Sequence, residues 1–359
     1  MLIPSDEVWH ALPYPWSLHL GIPLDEENVA VYTAQGQVKP PSEEKPAEKP
    51  PYRVPLPSRL RRVRGGPGGH GSTYYGRLQR CAQLWSNHYN FPPEESPAPH
   101  QANRAQALGI LSHAYYGHWN AERGARQPGG FLFRGEQVEG EHVFVKPADA
   151  VRLEAEEADA VAPTIEGQLW VDLVDDAIRA GRGYRQRFGR EEGRIIGVEE
   201  QRPIKIKSPF TGAEYEYDPR LDLEWEVTGE GVWLRDLKTT SYLWGDPEED
   251  YSLDIQFIGM QVIGRRVYGR RFAGVSVEHV RIAPDRILVE RYFPIPAPHA
   301  LRDWELSRAE ARDRVARLQR MGLRPDRYPK ATTKDACGAW GGCEFRPRCQ
   351  QGPDWNNDD

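Results

Sequence analysis

Two parts of the sequence carry side chains that could hold metal ions. In the first, Asp222 lies in the run LDLEWEV, and Asp236 and Lys238 lie in the run VWLRDLKTT that follows the turn-forming TGEG. In the second, four cysteines are divided between the two ends of the chain: Cys81, Cys337, Cys343 and Cys349. Carboxylates prefer hard divalent cations and thiolates prefer softer metals. The sequence therefore predicts two metal sites of different chemistry.

The carboxylates lie in a predicted hairpin, because both runs alternate with the period of a β-strand. A loop of about four or five residues would place Asp222 opposite Asp236 or Leu237, with Asp236 and Lys238 on one face. Directly opposed residues have Cβ atoms about 5 Å apart, so two carboxylates and one ammonium group could reach a single ion. Oxygen ligands of this kind suit Mg²⁺ or Mn²⁺.

Such an ion would stabilise negative charge on a phosphate group and lower the pKa of a bound water molecule. Lys238 could then hold or deprotonate the attacking water, or neutralise the developing charge. The simpler interpretation is a cross-strand salt bridge on a solvated face of the sheet. Four leucines favour a central hairpin, where an uncompensated acid is costly: Leu221, Leu223, Leu234 and Leu237.

The last three cysteines repeat every six residues in CGAWGGCEFRPRC, which predicts a loop folded around a metal. Four thiolates suit tetrahedral zinc or an iron–sulfur cluster, and paired or free thiols are a further alternative. The spacing alone does not decide among these. We call this set, with Cys81, the cysteine clasp, because one metal would join the two ends of the chain.

The elements that must position these residues follow from periodicity. Helices are predicted over about 73–89, 101–122, 166–188, 253–268 and 299–321. Strands are predicted in RIIGVEE, PIKIK, EYEY, LDLEWEV, GVWLRDLKTT, VSVEHVRIA and RILVERYFPI. This pattern places Cys81 in the middle of a helix and His113 on the next one. Strands flanked by helices predict an α/β fold around a central mixed sheet.

Composition divides the rest of the chain. Residues 36–57 are rich in Pro, Glu and Lys and form a predicted linker after a segment of unknown role over 1–35. One domain is expected over 58–350, with a tail over 351–359. The net charge of −6 argues against a generally basic coat, although arginines cluster in RLRRVRGG and GRRVYGRR. Without a long apolar run or an evident signal peptide, we expect a cytoplasmic protein that does not span a membrane.

Several motifs occur in the order found in a known family. They are GILSHAYY with His113, RIIGVEE with Glu199, RLDLEW with Asp222, RDLKTT with Asp236 and Lys238, and SLDIQFIGMQVIG with Gln256. On these motifs the chain resembles the PD-(D/E)XK nuclease superfamily. The resemblance is to its RecB-like branch, which also includes CRISPR adaptation nucleases and exonuclease V. It covers about residues 70–350 and implies a restriction-endonuclease-like core with a C-terminal cysteine loop.

The resemblance implies roles for these residues. The implied metal ligands are His113, Asp222, Asp236 and the carbonyl of Leu237. Lys238 and Gln256 would serve the nucleophile and the substrate. The cysteine clasp would hold a [4Fe-4S] cluster. Zn²⁺ is the alternative, because the spacing of the cysteines in this chain departs from that of many family members. Leu221 and Met260 also depart from the family pattern, where proline and tyrosine are common.

The function implied is a Mg²⁺- or Mn²⁺-dependent DNA nuclease, expected to be an exonuclease on DNA ends or single strands. No G-x-x-x-x-G-K-[ST] phosphate loop occurs, so unwinding would need a helicase or another recombination or adaptation partner. One alternative is a non-catalytic DNA-binding module of the same fold, and another is a zinc-stabilised assembly protein. Within the site, Glu200 is a rival to Glu199, and Gln256 could simply begin a helix.

Overall fold

The computed structural model describes residues 72–82, 86, 102–139, 144–160, 164, 167–240, 247–283, 286–322 and 328–331. The N-terminal segment, the linker and three of the four cysteines lie outside the described residues. The predicted domain boundaries therefore stay predictions.

A mixed seven-stranded sheet forms the centre of the fold, in the order β2-β1-β3-β6-β7-β8-β9. Its strands are β1 (Phe131–Phe133), β2 (Glu136–Val138), β3 (Arg194–Gln201), β6 (Arg220–Val227), β7 (Gly231–Thr240), β8 (Phe272–Ile282) and β9 (Ile287–Tyr292). A separate hairpin pairs β4 (Ile204–Lys207) with β5 (Glu214–Tyr217). Two neighbouring pairs, β1 with β3 and β7 with β8, are parallel, and the other pairs are antiparallel.

Helices flank this sheet. They are α1 (Ser72–Arg80), α2 (Arg104–Ala125), α3 (Pro147–Asp159), α4 (Val174–Phe188), α5 (Pro247–Leu253), α6 (Ile255–Tyr268) and α7 (Pro298–Arg320). Short 3₁₀ segments span Trp170–Leu173 and Gly269–Arg271. The predicted α/β class, with a central mixed sheet between helices, is confirmed. None of the helices in the described part of the chain is long and apolar enough to cross a membrane.

Alternate residues of the central strands face two hydrophobic cores, because side chains alternate along a strand. In β8, Val280 and Ile282 belong to a core with α2, α3 and α4. Val275 and Val277 belong to the core with α1, α6 and α7. The sheet is thus covered on both faces, and residues at the ends of its central strands can meet side chains from helices of either layer.

The hairpin of β6 and β7 is tighter than predicted. Val227 pairs with Gly231, which leaves a loop over 228–230 in place of the longer one expected. Leu223 pairs with Arg235, and extending that register by one residue places Asp222 opposite Asp236. The glycines of TGEG allow the short connection, since Gly229 has φ 84° and Gly231 has φ 116°.

Other predicted boundaries need correction. Helix α1 ends at Arg80, and Cys81 is a non-helical residue between Arg80 and the helical Ala82, so it interrupts the predicted helix. The predicted helix over 166–188 begins later, because Trp170–Leu173 forms a 3₁₀ segment and the α-helix starts at Val174. Helices α3 and α5 and the hairpin of β1 and β2 were not predicted. Pro147 at the first position of α3 was a usable signal.

Candidate metal centre

The C-terminal half of β7 is the meeting point of the candidate residues. Asp236 and Lys238 lie on this strand, and Asp222 lies on the neighbouring β6. His113 comes from the middle of α2, and Gln256 comes from the first turn of α6. The long α2 begins with a capping box, in which the side chain and backbone of Asn103 bond reciprocally with Gln106.

His113 is held against both β6 and β7. Its Nε2 lies 3.0 Å from the carbonyl oxygen of Leu237, and its Nδ1 lies 3.4 Å from Oδ2 of Asp222. The same Asp222 oxygen accepts a hydrogen bond of 3.0 Å from the backbone N–H of Leu237. The imidazole therefore lies between the Asp222 carboxylate and the Leu237 carbonyl, with one at each ring nitrogen, and the three residues that the resemblance implies as ligands are neighbours.

Glu199 joins this group. One donor atom from each of His113, Glu199 and Asp222 lies within 4.8 Å of the others, a separation that a shared metal ion could span. Glu199 is buried, and its backbone has φ 55°, an uncommon and strained value for a residue with a side chain. Its Oε2 lies 3.0 Å from Nε of Arg220. The structure thus brings in the strand glutamate that the resemblance suggested.

Asp236, Lys238 and Gln256 form a hydrogen-bonded triangle. Nζ of Lys238 lies 2.7 Å from Oδ2 of Asp236 and donates a bond of 3.1 Å to Oε1 of Gln256. The amide of Gln256 in turn donates a bond of 2.6 Å to Oδ1 of Asp236. Gln256 does begin a helix, whose N-cap is Asp254. Its side chain is nevertheless turned into the centre.

Burial sets the electrostatics of this triangle. It raises the pKa of Asp236 to about 7; Lys238 opposes the shift and Asp222 adds to it. Burial alone would lower the pKa of Lys238, but the carboxylates of Asp236 and Asp222 outweigh it, so the net shift is upward. An ionised Asp236 is therefore incompletely compensated by Lys238 alone. A bound cation would favour that ionised form.

The donor set fits a divalent cation. It consists of carboxylate oxygens, one carbonyl oxygen and one imidazole nitrogen. Mg²⁺ and Mn²⁺ prefer oxygen ligands, and an imidazole is compatible with Mn²⁺. The raised pKa of the buried Asp236 is a further reason for a cation here. The residues whose donor atoms lie together are His113, Glu199 and Asp222, with the Leu237 carbonyl next to His113. Asp236, the remaining ligand that the resemblance implies, is bonded to Lys238 and Gln256 instead.

Three other residues lie elsewhere: Glu200, the rival of Glu199, His118, the second histidine of α2, and Met260. Glu200 accepts a hydrogen bond of 2.8 Å from the backbone of Gly135, beyond the neighbouring strand β1. His118 is buried with its ring edge-on to Phe133. Met260, at the position where the family that the sequence resembles commonly has a tyrosine, is buried in the core with α6 and α7. None of these three is among the residues that converge on the end of β7.

Two nearby residues were missed from the sequence. Arg220 precedes the RLDLEW aspartate by two positions, so its proximity to that acid was a usable signal. His279 pairs in register with Lys238 on the parallel strand β8 and lies 3.5 Å from the hydroxyl of Tyr251. Neither neighbour of His279 is close in sequence, so only the sheet order brings them together.

Of the four cysteines of the cysteine clasp, Cys81 is the one that lies within the described residues. Cys81 is partly buried, and its Sγ accepts a hydrogen bond of 3.3 Å from the backbone N–H of Ala331. Tyr328, just before that contact, is buried in the core with α1 and α7. The chain thus returns to Cys81 shortly before the cysteine-rich tail. The other three cysteines lie outside the described residues, so the clasp itself stays a prediction.

Comparisons with known proteins give little beyond this geometry. No protein-family profile and no curated protein matches the chain. Among solved structures, it is similar to a protein of Eubacterium rectale provisionally assigned as an exonuclease. The two share 11% identity with a TM-score of 0.39, covering 75% of this chain and 86% of the other. The protein SSO0001 shares 14% identity with a TM-score of 0.27, covering 58% of this chain and 85% of the other. At such TM-scores neither likeness carries an argument.

Proposed function

We propose that this protein is a metal-dependent DNA nuclease with a centre of the PD-(D/E)XK type. One observation carries the proposal. Side chains from two helices and from three strands of the sheet converge at the end of β7, in a composition that suits metal-assisted phosphodiester hydrolysis. They are His113, Glu199, Asp222, Asp236, Lys238 and Gln256.

Each residue has a role in this proposal. His113, Asp222, Asp236 and the Leu237 carbonyl would hold Mg²⁺ or Mn²⁺, which would supply charge stabilisation at the phosphate and a more acidic water. Lys238, fixed by its bonds to Asp236 and to Gln256, presents an ammonium group beside the position of the nucleophile. It would orient the attacking water and neutralise developing negative charge.

Without a metal ion, the neighbouring carboxylates raise the pKa of Lys238 despite its burial, so its ammonium form is favoured. With a cation on those carboxylates, Lys238 could hold or deprotonate the attacking water, or neutralise developing negative charge. Gln256 bridges Lys238 and Asp236. Its side-chain carbonyl accepts a hydrogen bond from the ammonium group of Lys238, and its side-chain amide donates one to Asp236. These hydrogen bonds position the side chains of Lys238 and Asp236 before substrate binds.

The proposal extends to the substrate and to the metal of the cysteine clasp. DNA ends or single strands are the proposed substrate, with unwinding supplied by a helicase or a recombination or adaptation partner. The cysteine clasp is proposed to hold a [4Fe-4S] cluster, or else Zn²⁺. The approach of Ala331 to Cys81 supports a clasp, because it brings the C-terminal chain to the first cysteine before the remaining three occur.

A cleavage assay tests this function. Anaerobically purified wild-type protein and Lys238→Ala are compared on end-labelled single- and double-stranded DNA, with Mn²⁺ or with EDTA. We expect degradation by the wild type that requires Mn²⁺ and falls by about 10²-fold or more in Lys238→Ala. Lys207→Ala, an exposed lysine on β4, is the matched control and should cleave normally. Binding of DNA without cleavage by either protein would refute the nuclease and favour the DNA-binding module.

A further inference from the structure

Three large apolar side chains are exposed around the start of α6. Leu253, the last residue of α5, is 72% exposed, and Ile255, the first residue of α6, is 36% exposed. Ile295, in the segment between β9 and α7, is 67% exposed. One exposed apolar side chain is ordinary, whereas several that lie together indicate a binding surface. We call these three residues the apolar rim.

Two hydrogen bonds bring the apolar rim together. The backbone N–H of Ile295 donates a bond of 3.0 Å to the hydroxyl of Ser252, which directly precedes Leu253. The backbone carbonyl of Ile255 accepts a bond of 2.8 Å from Nε1 of Trp304 on α7. The segment after β9 is thus joined to the junction of α5 and α6, and the three side chains share one part of the surface.

The apolar rim adjoins the candidate metal centre. Ile255 directly precedes Gln256, whose side chain bonds to both Lys238 and Asp236. Consecutive Cα atoms are about 3.8 Å apart, so the rim begins one residue away from a side chain of the centre. A nucleotide of a DNA strand held at the centre can therefore reach the rim.

The charges beside the rim favour a base over a phosphate as the group that contacts it. Helix α5 has three acids in its first turn, Glu248, Glu249 and Asp250, and Asp254 is the N-cap of α6. Carboxylates repel a phosphate. The face of a nucleobase is uncharged, and leucine and isoleucine side chains pack against bases that have been unstacked. In an intact duplex this face is covered by the neighbouring base pairs.

We propose that the apolar rim packs against the face of one unpaired nucleobase of the DNA strand bound at the centre. Single strands and frayed ends would then bind more tightly than intact duplex. The inference rests on the proposed nuclease function and adds how its substrate class is recognised. In this scheme the rim determines specificity and does not touch the reacting phosphate.

Binding to single strands with an abasic site tests the inference. Fluorescence anisotropy is measured with Mn²⁺ in the cleavage-impaired Lys238→Ala protein, with one abasic site moved along the oligonucleotide. We expect one position at which the lost base weakens binding about fivefold, the lower end of the range for one stacked base. Adding Leu253→Ser/Ile295→Ser should weaken binding of the intact strand by the same factor. The abasic site should then cost nothing further, because the base has already lost its partner.

Two controls accompany this measurement. Leu153→Ser, an exposed leucine on α3, is the matched control and should change neither affinity. The melting temperature of the rim variant should equal that of its parent, since both substituted side chains are largely exposed. The preference for a single strand over a blunt duplex should fall about fivefold in the rim variant and stay unchanged in the control.

The outcomes separate this inference from the proposed function. If the rim variant binds the intact strand as tightly as its parent, or if the abasic penalty persists in it, the inference is overturned. A rim that serves a partner protein or a second copy of this chain would give that result, and metal-dependent cleavage by the wild type would be untouched. No binding of single strands by any of these proteins, including the wild type in EDTA, would overturn both.

Discussion

At the scale of residues, the centre combines groups whose charges depend on their surroundings. Asp222 is fixed by a backbone N–H and an imidazole, whereas Asp236 is fixed by an ammonium group and an amide. Burial raises the pKa of Asp236 to about 7. The two acids therefore differ in environment although they face each other across one hairpin.

The buried His279 should make the stability of the folded protein depend on pH. Burial lowers the pKa of His279 to about 4, and the positive charges of Arg281 and Lys238 add to the effect. The unfolded chain takes up this proton near its ordinary pKa of 6.5, and the folded chain does not until about 4. Its contribution to stability is thus complete above pH 6.5 and is lost as the pH falls from 6.5 towards 4, by up to about 3 kcal/mol.

His279→Asn keeps a hydrogen-bond acceptor for Tyr251 but does not titrate in this range. Urea unfolding between pH 4 and pH 7 should therefore show a shallower loss of stability in His279→Asn than in the wild type. His299→Asn, on the exposed surface of α7, is the matched control. Equal pH slopes in the wild type and His279→Asn would contradict the prediction.

At the scale of elements, the packing of α2 decides where His113 lies. Helix α2 crosses α4 at Gly181, where an added Cβ would overlap the ring of Tyr115. Beneath them, an ionic network ties the end of α4 to the sheet. Glu191 lies 2.7 Å from Arg235 on β7 and 2.6 Å from Arg291 on β9. The close helix contact and this network together fix α2 over the central strands.

Gly181→Ala tests this dependence. The added methyl group must displace α2 or the ring of Tyr115, and overpacking of this kind typically costs about 1–3 kcal/mol. Because His113 is two residues from Tyr115, we also expect weaker Mn²⁺ binding, measured by calorimetry beside the melting temperature. Arg182→Ala on the exposed face of α4 should change neither quantity. A Gly181→Ala protein with wild-type stability would show that the helix contact is more adaptable.

At the scale of the whole molecule, the C-terminal chain is joined to the start of the domain. Tyr328 packs in the core that contains α1, and Ala331 bonds to Cys81. The core with α1, α6 and α7 thus depends on chain segments separated by most of the sequence. A metal held by the cysteine clasp would make this long connection permanent.

Loss of one clasp cysteine should therefore be costly. Closing so long a loop removes unfolded-state entropy worth about 4–5 kcal/mol for a comparable crosslink. Cys343→Ser should lower the melting temperature and the yield of soluble protein, and should lose bound iron or zinc as measured by elemental analysis. An absorption band in the visible blue would favour iron over zinc. A stable Cys343→Ser protein with its full metal content would contradict the clasp.

Local patterns in the sequence predict the alternation of the strands, the hairpin of β6 and β7, and five candidate residues: His113, Asp222, Asp236, Lys238 and Gln256. These depend on local periodicity and short motifs, which act over a few residues. The predicted boundaries were wrong at Cys81, which interrupts the predicted helix, and before Val174, where a 3₁₀ segment takes the place of the start of the predicted helix.

Long-range packing places Glu199 and not Glu200 beside His113 and Asp222, pairs Glu199 with Arg220, and brings Ala331 to Cys81. The two glutamates are identical in chemistry and adjacent in sequence, so no local pattern separates them. What separates them is the positive φ of Glu199, with the order of the strands around it. These are consequences of long-range packing, because a strained backbone persists only where the surrounding structure holds it.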